Sequence, residues 1–441
     1  MTSPSNALAR RASRLAGAVT AMATLALTVP AWAQLAAPAL DPSKLMQGFP
    51  PPPEYRVHIG NWQQNPQKLW SFRHTRELFP TRPLKPTGPV RELPLSSRDS
   101  LAQLQVGSAD APLTWPQMLA ATHVDAALVL HKGRIIDERY FKGMQAHEPH
   151  LMFSATKSMA GLMGATLIAE GRLDENAKVG TVLPELADSA WADATVRQVL
   201  DMTDGVRFTE VYTDPSSDIF PYVAAMGWVP PEFRKPGSPF GIQAMLPTLK
   251  RVEPEARGSA FRYRSAATDV AAWIAARAAQ QSLSDWLQQR LWSRLGMEHE
   301  GNVMLDPVGT EVAFAGMSAS ARDLGRIGQM LLQRGRWDGQ QIIPEKVIEQ
   351  LIRGGSTEAF KASGLEKSRP GWSYRDQWWV NPQAPRSFAA MGAYGQRLYV
   401  FPDDELVVVL LSSHPQPIAA LVDGPQLAGL KRLTESLRAP R

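Results

Sequence analysis

Cysteine is absent from the 441-residue sequence. Its absence excludes disulfide bonds, a thiolate nucleophile, cysteine-ligated metals and a lipid anchor on an N-terminal cysteine. The formal net charge is only +5, and no run of lysine and arginine is interleaved with aromatic residues, so a nucleic-acid partner is not expected. A glycine-rich phosphate loop is also missing, and the spacing of His147 and His150 fits no standard metal helix. We therefore expect neither a metal nor a cofactor.

The N-terminus has the pattern of an export signal. Arg10, Arg11 and Arg14 form a basic region, Leu15–Val29 is apolar, and Ala31-Trp32-Ala33 fits a small-x-small cleavage site. The apolar stretch is short for a membrane span, and no later segment is long and apolar enough to be one. The pattern predicts a signal peptide over residues 1–33, a periplasmic or secreted protein, and no stable membrane insertion after cleavage. The alternative is an uncleaved anchor, and the sequence leaves the export route open between the general and the twin-arginine pathway.

Residues 34–115 are rich in proline and poor in periodic pattern. Pro50–Pro53 is a run of four prolines, which is extended rather than helical. The large apolar residues Trp62, Trp70 and Phe72 favour an N-terminal arm that packs on the main domain. The alternative is a flexible linker, although linkers rarely carry so many large apolar side chains.

The main domain is expected over residues 116–438, with strands at both of its ends and helices between them. A hairpin turns at Lys132-Gly133, and residues 172–345 read as a mostly helical lobe. Strands at both ends imply one sheet built from distant segments, so the fold class is α/β (α+β), with a central antiparallel sheet flanked by helices and an inserted helical lobe. The individual segments are strands at 126–130, 134–141, 388–391, 396–401 and 406–411, and helices at 154–170, 193–202, 268–279, 284–295, 321–334 and 417–437.

Ser154 and Lys157 form a Ser-x-x-Lys pattern at the start of a largely apolar helix. Residues three apart lie on one helix face, so the hydroxyl and the amine are expected to meet. Serine is a weak nucleophile that needs a base, and lysine can serve as that base when desolvation lowers its pKa. The alternative is a capping serine beside a solvated lysine. A lysine among the apolar residues Met159, Ala160 and Leu162 favours the catalytic interpretation, because a buried charge needs a reason.

The order of these features resembles the serine β-lactamase and penicillin-binding-protein superfamily. Within it the chain is most similar to the class C-like branch of esterases and amidases, and in particular to 6-aminohexanoate-dimer hydrolases. The resemblance covers about residues 115–438 and implies a β-lactamase/D,D-peptidase-like fold. Its Tyr-x-Asn motif corresponds to Tyr263-Arg264-Ser265, which implies that Tyr263 moves protons, with phenolate character beside the ammonium. Ser265 replaces the asparagine, so substrate contact there is expected to differ.

The resemblance also assigns a binding strand to residues 391–396. Gly392 is expected to let the substrate approach the backbone, and the N–H groups of Ala393 and Ser154 are expected to form an oxyanion hole. The Lys-Thr-Gly of β-lactamases is replaced by Ala390-Met391-Gly392, which argues against β-lactams and cell-wall peptides; Arg397 is one conceivable replacement for the missing cation. The alternative for this glycine-rich segment is an ordinary bulged strand.

Tyr212 lies in a segment similar to one that contacts substrate in the amide-cleaving relatives, although it is equally compatible with a plain turn before Pro215. Together these features predict a serine hydrolase that cleaves a small-molecule ester or amide through an acyl-enzyme on Ser154. The alternatives are a β-lactamase or D,D-peptidase, and a non-catalytic periplasmic binding protein on the same fold.

Overall fold

The structure, a computed structural model, describes residues 40–107, 112–418 and 420–438. The predicted signal peptide, residues 1–33, lies outside them. The strands of the described residues are β1 (Thr81–Leu84), β2 (Val124–His131), β3 (Arg134–Tyr140), β4 (His150–Leu151), β5 (Gly301–Met304), β6 (Met317–Ala319), β7 (Arg336–Trp337), β8 (Gln340–Gln341), β9 (Ser373–Arg375), β10 (Trp378–Asn381), β11 (Ser387–Gly392), β12 (Gln396–Phe401) and β13 (Leu406–Ser412).

The α-helices of the same residues vary from one turn to five. They are α1 (Lys68–Ser71), α2 (Thr75–Leu78), α3 (Trp115–Ala121), α4 (Lys157–Ala169), α5 (Val179–Val182), α6 (Val196–Leu200), α7 (Ile219–Ala225), α8 (Ile242–Met245), α9 (Ser265–Ala279), α10 (Leu283–Leu287), α11 (Ala321–Leu332), α12 (Glu345–Arg353), α13 (Thr357–Lys361) and α14 (Ala420–Arg438). A π-helical turn, Gln288–Trp292, continues α10.

The main sheet is antiparallel and joins the two ends of the domain. Its strand order is β3-β2-β13-β12-β11-β10-β9, so β2 near the start of the domain pairs with β13 near its end. The central strands are continuous apolar runs because both sheet faces are covered. The β2–β3 turn is tight because Lys132 and Gly133 both have positive φ, as a two-residue hairpin with the right twist requires. The predicted central antiparallel sheet is confirmed.

Helices cover both faces of this sheet. On one face Gly328 of α11 comes so close to Val407 and Leu398 that an added Cβ would lie 2.5 Å and 2.9 Å from their side chains. On the other face Trp115 of α3 donates its indole N–H to Asp137 of β3 at 2.9 Å, and α14 packs against α3. The expected α/β layering with flanking helices is therefore present.

A second sheet has the order β1-β5-β6-β4 and was missed by the sequence interpretation. Its strands β5 and β6 lie inside residues 172–345, so the description of that region as mostly helical is incomplete. These strands are two to four residues long, so no periodicity marks them, and β1 and β4 come from segments far from β5 and β6. The sheet ties β1 of the proline-rich segment to β4, which leads directly to Ser154.

The segment before residue 107 contributes to the same core as the main domain. The described residues from Asp41 onward form one compact unit, and Trp62 and Phe72 are buried within it. The boundary at residue 115 stays a prediction. No helix in the described part of the chain is long and apolar enough to cross a membrane.

Two of the helix boundaries that differ from the predicted ones concern the site. The helix predicted from residue 154 begins at Lys157 and is preceded by a 3₁₀ turn, Phe153–Thr156, whose first residue has φ 45°. The helix predicted from residue 268 begins at Ser265, where Arg264 is still extended. The first shift places Ser154 in the 3₁₀ turn that precedes α4, and the second brings Ser265 into the first turn of α9.

Candidate active site

The turn that carries Ser154 is held from two sides. Phe72 accepts a hydrogen bond from Leu151 N at 2.7 Å, and Met317 accepts one from Met152 N at 2.8 Å. Phe153 has a left-handed backbone, a conformation that a bulky residue adopts only when its surroundings impose it. The sharp turn places Ser154 at the wall of a cavity.

The amine of Lys157 lies behind Ser154 and has three oxygen partners. Lys157 Nζ is 3.0 Å from Ser154 Oγ, 3.0 Å from Ser265 Oγ and 3.1 Å from the carbonyl oxygen of Phe314. The residue is 1% exposed. Burial lowers the pKa of this amine to about 8, although the carboxylates of Glu210 and Asp269 oppose the shift. The predicted desolvated lysine is confirmed.

Ser265 lies beneath the lysine rather than on the cavity wall. Its hydroxyl donates to Glu210 Oε1 at 2.9 Å, and its backbone N–H donates to the other oxygen of the same carboxylate. The hydroxyl proton is thereby engaged, so Ser265 Oγ meets Lys157 as an acceptor. The expectation that Ser265 contacts substrate is wrong: Ser265 is fully buried and links Lys157 to Glu210.

Tyr263 completes the group on the opposite side of the lysine. Its ring centroid lies 5.0 Å from Lys157 Nζ, and Trp379 stacks on the ring with centroids 5.6 Å apart. Burial and the nearby Glu210 carboxylate raise the pKa of Tyr263, while a hydrogen bond with Ser154 lowers it less. Burial and Glu210 thus favour the neutral phenol, and the expected phenolate character stays a prediction.

Asp269 is a buried carboxyl group one turn into α9. Its oxygens accept a hydrogen bond from Tyr222 Oη at 2.6 Å and one from Phe314 N at 3.2 Å. Burial raises the pKa of Asp269 to about 7, and the hydrogen bond from Tyr222 and the charge of Lys157 oppose the rise. Because Asp269 holds the Phe314 peptide, it also fixes the carbonyl that faces Lys157.

Ala393 follows β11 and reaches the same cavity as Ser154. Among the described residues, neither the N–H of Ala393 nor that of Ser154 donates to a backbone acceptor outside its own 3₁₀ turn. The next residue, Tyr394, has φ 58°, and its ring packs on Phe153 with centroids 5.0 Å apart. This ring contact holds together the two segments that carry the N–H groups of Ser154 and Ala393.

Gly392 is required for a reason other than the expected one. A Cβ at this position would lie 2.2 Å from the carbonyl oxygen of Met152, so the glycine lets β11 approach the turn that carries Ser154. Gly392 does not line the cavity. Gly392 was expected to let the substrate approach the backbone. It instead lets the backbone of β11 approach the backbone at Met152.

Tyr212 lines the cavity as expected, and its hydroxyl donates to Glu210 Oε1 at 3.2 Å. Arg397 does not point at the cavity: it is buried, paired with Asp423, and donates to the carbonyl oxygen of Gly392 at 2.7 Å. Trp378 is a core residue whose indole N–H donates to Ser158 O. The described residues contain no cluster of histidine and carboxylate side chains that could hold a metal.

The sequence interpretation missed four contributors to the site: Asp269, the carbonyl of Phe314, the carboxylate of Glu210 and Trp62. Asp269 could have been identified from the sequence, because a carboxylate inside an otherwise apolar helix needs a compensating partner, as the amine of Lys157 does. Glu210 lies two residues before Tyr212, but only the tyrosine was assigned a role. Phe314 and Trp62 act through backbone position and packing, which no local pattern reveals.

Comparison with known proteins gives consistent results. The sequence model of the Beta-lactamase family matches residues 117–431. The chain is 32% identical over 359 residues to a 6-aminohexanoate-dimer hydrolase of Paenarthrobacter ureafaciens, covering 81% of this chain and 88% of that protein. A Bacillus anthracis structure assigned as a 6-aminohexanoate-dimer hydrolase superposes with a TM-score of 0.78 at 29% identity, covering 88% of this chain and 100% of the other. A penicillin-binding-protein homologue from Caulobacter crescentus shares the fold, with a TM-score of 0.55 at 16% identity over 80% of this chain and 100% of the other.

Proposed function

The chain belongs to the Beta-lactamase family and is a serine hydrolase, and we propose that it cleaves ester or linear amide bonds with Ser154 as nucleophile and Lys157 as base. The observation that carries the proposal is the 3.0 Å separation of Lys157 Nζ from Ser154 Oγ, combined with burial that lowers the pKa of the amine to about 8. A base poised near the working pH is what general-base catalysis requires.

The hydrogen-bond partners of Lys157 orient its lone pair. Phe314 O can only accept, and Ser265 Oγ accepts because its own proton goes to Glu210. The two protons of a neutral amine therefore occupy these two acceptors, and the lone pair faces Ser154 Oγ. Glu210 and Asp269 are positioning residues in this arrangement, since each acts through an acceptor of Lys157.

The reaction then follows from the geometry. Ser154 Oγ attacks the substrate carbonyl as its proton passes to Lys157, and the N–H groups of Ser154 and Ala393 stabilise the oxyanion. The bond to the alcohol or amine breaks, and the leaving group takes a proton that Lys157 delivers through the neutral phenol of Tyr263. Water attacks the resulting ester and gives a proton to Lys157, and Lys157 passes that proton to Ser154 Oγ as the serine leaves as the hydroxyl.

A β-lactamase or D,D-peptidase is less well supported. The Lys-Thr-Gly cation is missing, and Arg397 is committed to Asp423. Linear amides have direct support from the relatives named for the 6-aminohexanoate dimer, which is therefore one amide to test. Nitrocefin serves as the matched β-lactam.

The test is a kinetic comparison on p-nitrophenyl butyrate, short linear amides and nitrocefin. Ser154→Ala and Lys157→Met should each lower kcat by at least about 10³-fold. Ser368→Ala and Lys346→Met, at exposed positions, are the matched controls and should retain wild-type rates. Activity that survives in Ser154→Ala would remove the assignment.

We also propose that the protein is exported. The support is the basic, apolar and small-x-small pattern of residues 1–33. Expression of the full chain in a Gram-negative host should yield a periplasmic protein whose first residue is Gln34. An intact N-terminus in the cytoplasmic fraction would contradict this proposal.

A further inference from the structure

The cavity beside Ser154 has a volume of about 410 Å³, within the range of small-molecule sites. Among residues 40–107, 112–418 and 420–438, those that line it include no aspartate, glutamate, lysine, arginine or histidine. Its walls are mostly aromatic and aliphatic, and neutral groups such as Gln63 and Tyr212 supply the polar contacts.

One wall comes from the proline-rich segment, through residues 59–64. Trp62 anchors this wall: it is buried, its indole N–H donates to Trp228 O at 3.2 Å, and its ring stacks on Phe153 with centroids 6.2 Å apart. Phe79 meets the same indole edge-on at 5.1 Å. Because these contacts fix Trp62 on several sides, the wall is rigid and pre-formed rather than adaptable.

The charged groups nearest to the cavity are already paired. Lys157 donates to Ser265 Oγ and to the carbonyl oxygen of Phe314. Lys68, whose amine lies over the Tyr394 ring, donates to the carbonyl oxygens of His414 and Pro415. Glu210 accepts from Ser265 and Tyr212, and Arg397 is held by Asp423. A carboxylate or ammonium of a substrate would lose its hydration in the cavity without gaining a counterion, which is unfavourable.

The mouth of the cavity is apolar as well. Phe220 and Phe233 line it and are 37% and 70% exposed. Large exposed aromatic side chains at a cavity rim are typical of a surface that contacts an apolar ligand. An apolar chain that fills the cavity can therefore extend across these two rings.

We infer that the part of the substrate beside the scissile bond is uncharged and that it places an apolar alkyl or aryl group in the cavity between residues 59–64 and 219–233. The inference rests on the proposed hydrolase function and narrows it: substrates with a free carboxylate or ammonium close to the scissile bond are disfavoured. The Trp62 wall makes the proline-rich segment part of the specificity site.

The test compares kcat/KM for a series of p-nitrophenyl esters on the full chain. From acetate to butyrate, kcat/KM should rise about fourfold per added methylene, as burial of each methylene predicts. Mono-p-nitrophenyl succinate, which matches butyrate in length but carries a carboxylate, should be at least about 100-fold poorer than butyrate. Equal kcat/KM for the two would overturn the inference.

A variant pair makes the test independent of folding. Phe220→Lys places a cation at the cavity rim and should raise the succinate-to-butyrate ratio at least about tenfold. Phe49→Lys adds the same charge at an exposed position away from the cavity and should leave the ratio unchanged. If both variants changed the ratio equally, the change would come from added charge in general, and the inferred specificity of the cavity would be overturned.

Failure of the inference and failure of the hydrolase assignment give different results. If Ser154→Ala loses activity on every ester while succinate is cleaved as well as butyrate, the enzyme assignment stands and the apolar specificity falls. If Ser154→Ala keeps its activity, the proposed function falls and the specificity inference falls with it.

Discussion

The pH dependence of kcat/KM should report the titration of Lys157. Burial lowers the pKa of this amine to about 8, and only the neutral amine can accept the proton of Ser154. The active fraction is therefore about 1% at pH 6, about 9% at pH 7 and about 90% at pH 9. We predict a rate that rises nearly tenfold per pH unit below pH 7 and levels off above pH 9.

A substitution at Glu210 tests whether the rise of kcat/KM with pH reports the titration of Lys157. The Glu210 carboxylate raises the pKa of Lys157, so Glu210→Gln removes a negative charge that stabilises the ammonium. The pH at which kcat/KM rises should therefore be lower in this variant. The glutamine keeps the size of the side chain and can still accept from Ser265. Glu349→Gln, at an exposed position on α12, is the matched control and should leave the profile in place.

The assay is hydrolysis of p-nitrophenyl butyrate from pH 6 to pH 10, followed at the isosbestic wavelength of p-nitrophenol. Ser154→Ala supplies the background rate of the ester at each pH. A profile that is flat between pH 6 and pH 9, or one that moves to higher pH in Glu210→Gln, would refute the reasoning.

Three further predictions concern single side chains. Tyr263→Phe removes the proton relay but keeps the stacking on Trp379, so kcat should fall about 10²–10⁴-fold with little change in KM, as steady-state kinetics can measure. Burial raises the pKa of Asp269 from 3.8 to about 7, so the protonated form stabilises the fold and this contribution is lost as the pH rises through 7. Relative to Asp269→Asn, the free energy of unfolding of the wild type in urea should fall by about 4 kcal/mol between pH 4 and pH 8. A difference between the two proteins that stays constant with pH would contradict this. Asp423→Asn leaves the buried Arg397 without its charged partner and should lower the free energy of unfolding in urea by about 3–5 kcal/mol. The variant should not cleave anionic esters faster than the wild type. Faster cleavage would show that Arg397 can turn to the cavity.

The elements that could be predicted from the sequence depend on local chemistry. The β2–β3 hairpin follows from an apolar strand and a turn at Lys132-Gly133, whose positive φ values suit it. Strand β12 was placed at its observed bounds, Gln396–Phe401, because proline and aspartates end it. The burial of Lys157 was predictable because its neighbours on the helix are apolar.

The features that could not be predicted depend on distant segments. In the β1-β5-β6-β4 sheet, β1 and β4 pair with strands far away in the chain, and nothing in a strand of two to four residues reveals its partner. The environment of Tyr263 was not predictable because its burial, and the carboxylate of Glu210 more than fifty residues earlier in the chain, both raise its pKa. The roles of Ser265 and Gly392 changed for the same reason: their contacts, Glu210 and Met152, come from other elements.

Peptide mapping after reaction with an aryl fluorophosphonate tests the central claim most directly. The wild type should carry one phosphonyl group, on the Ser154 side chain, and Lys157→Met should react at least about 10²-fold more slowly at the same position. Modification at a different residue, or labelling of Ser154 at an equal rate with and without the Lys157 amine, would contradict the account.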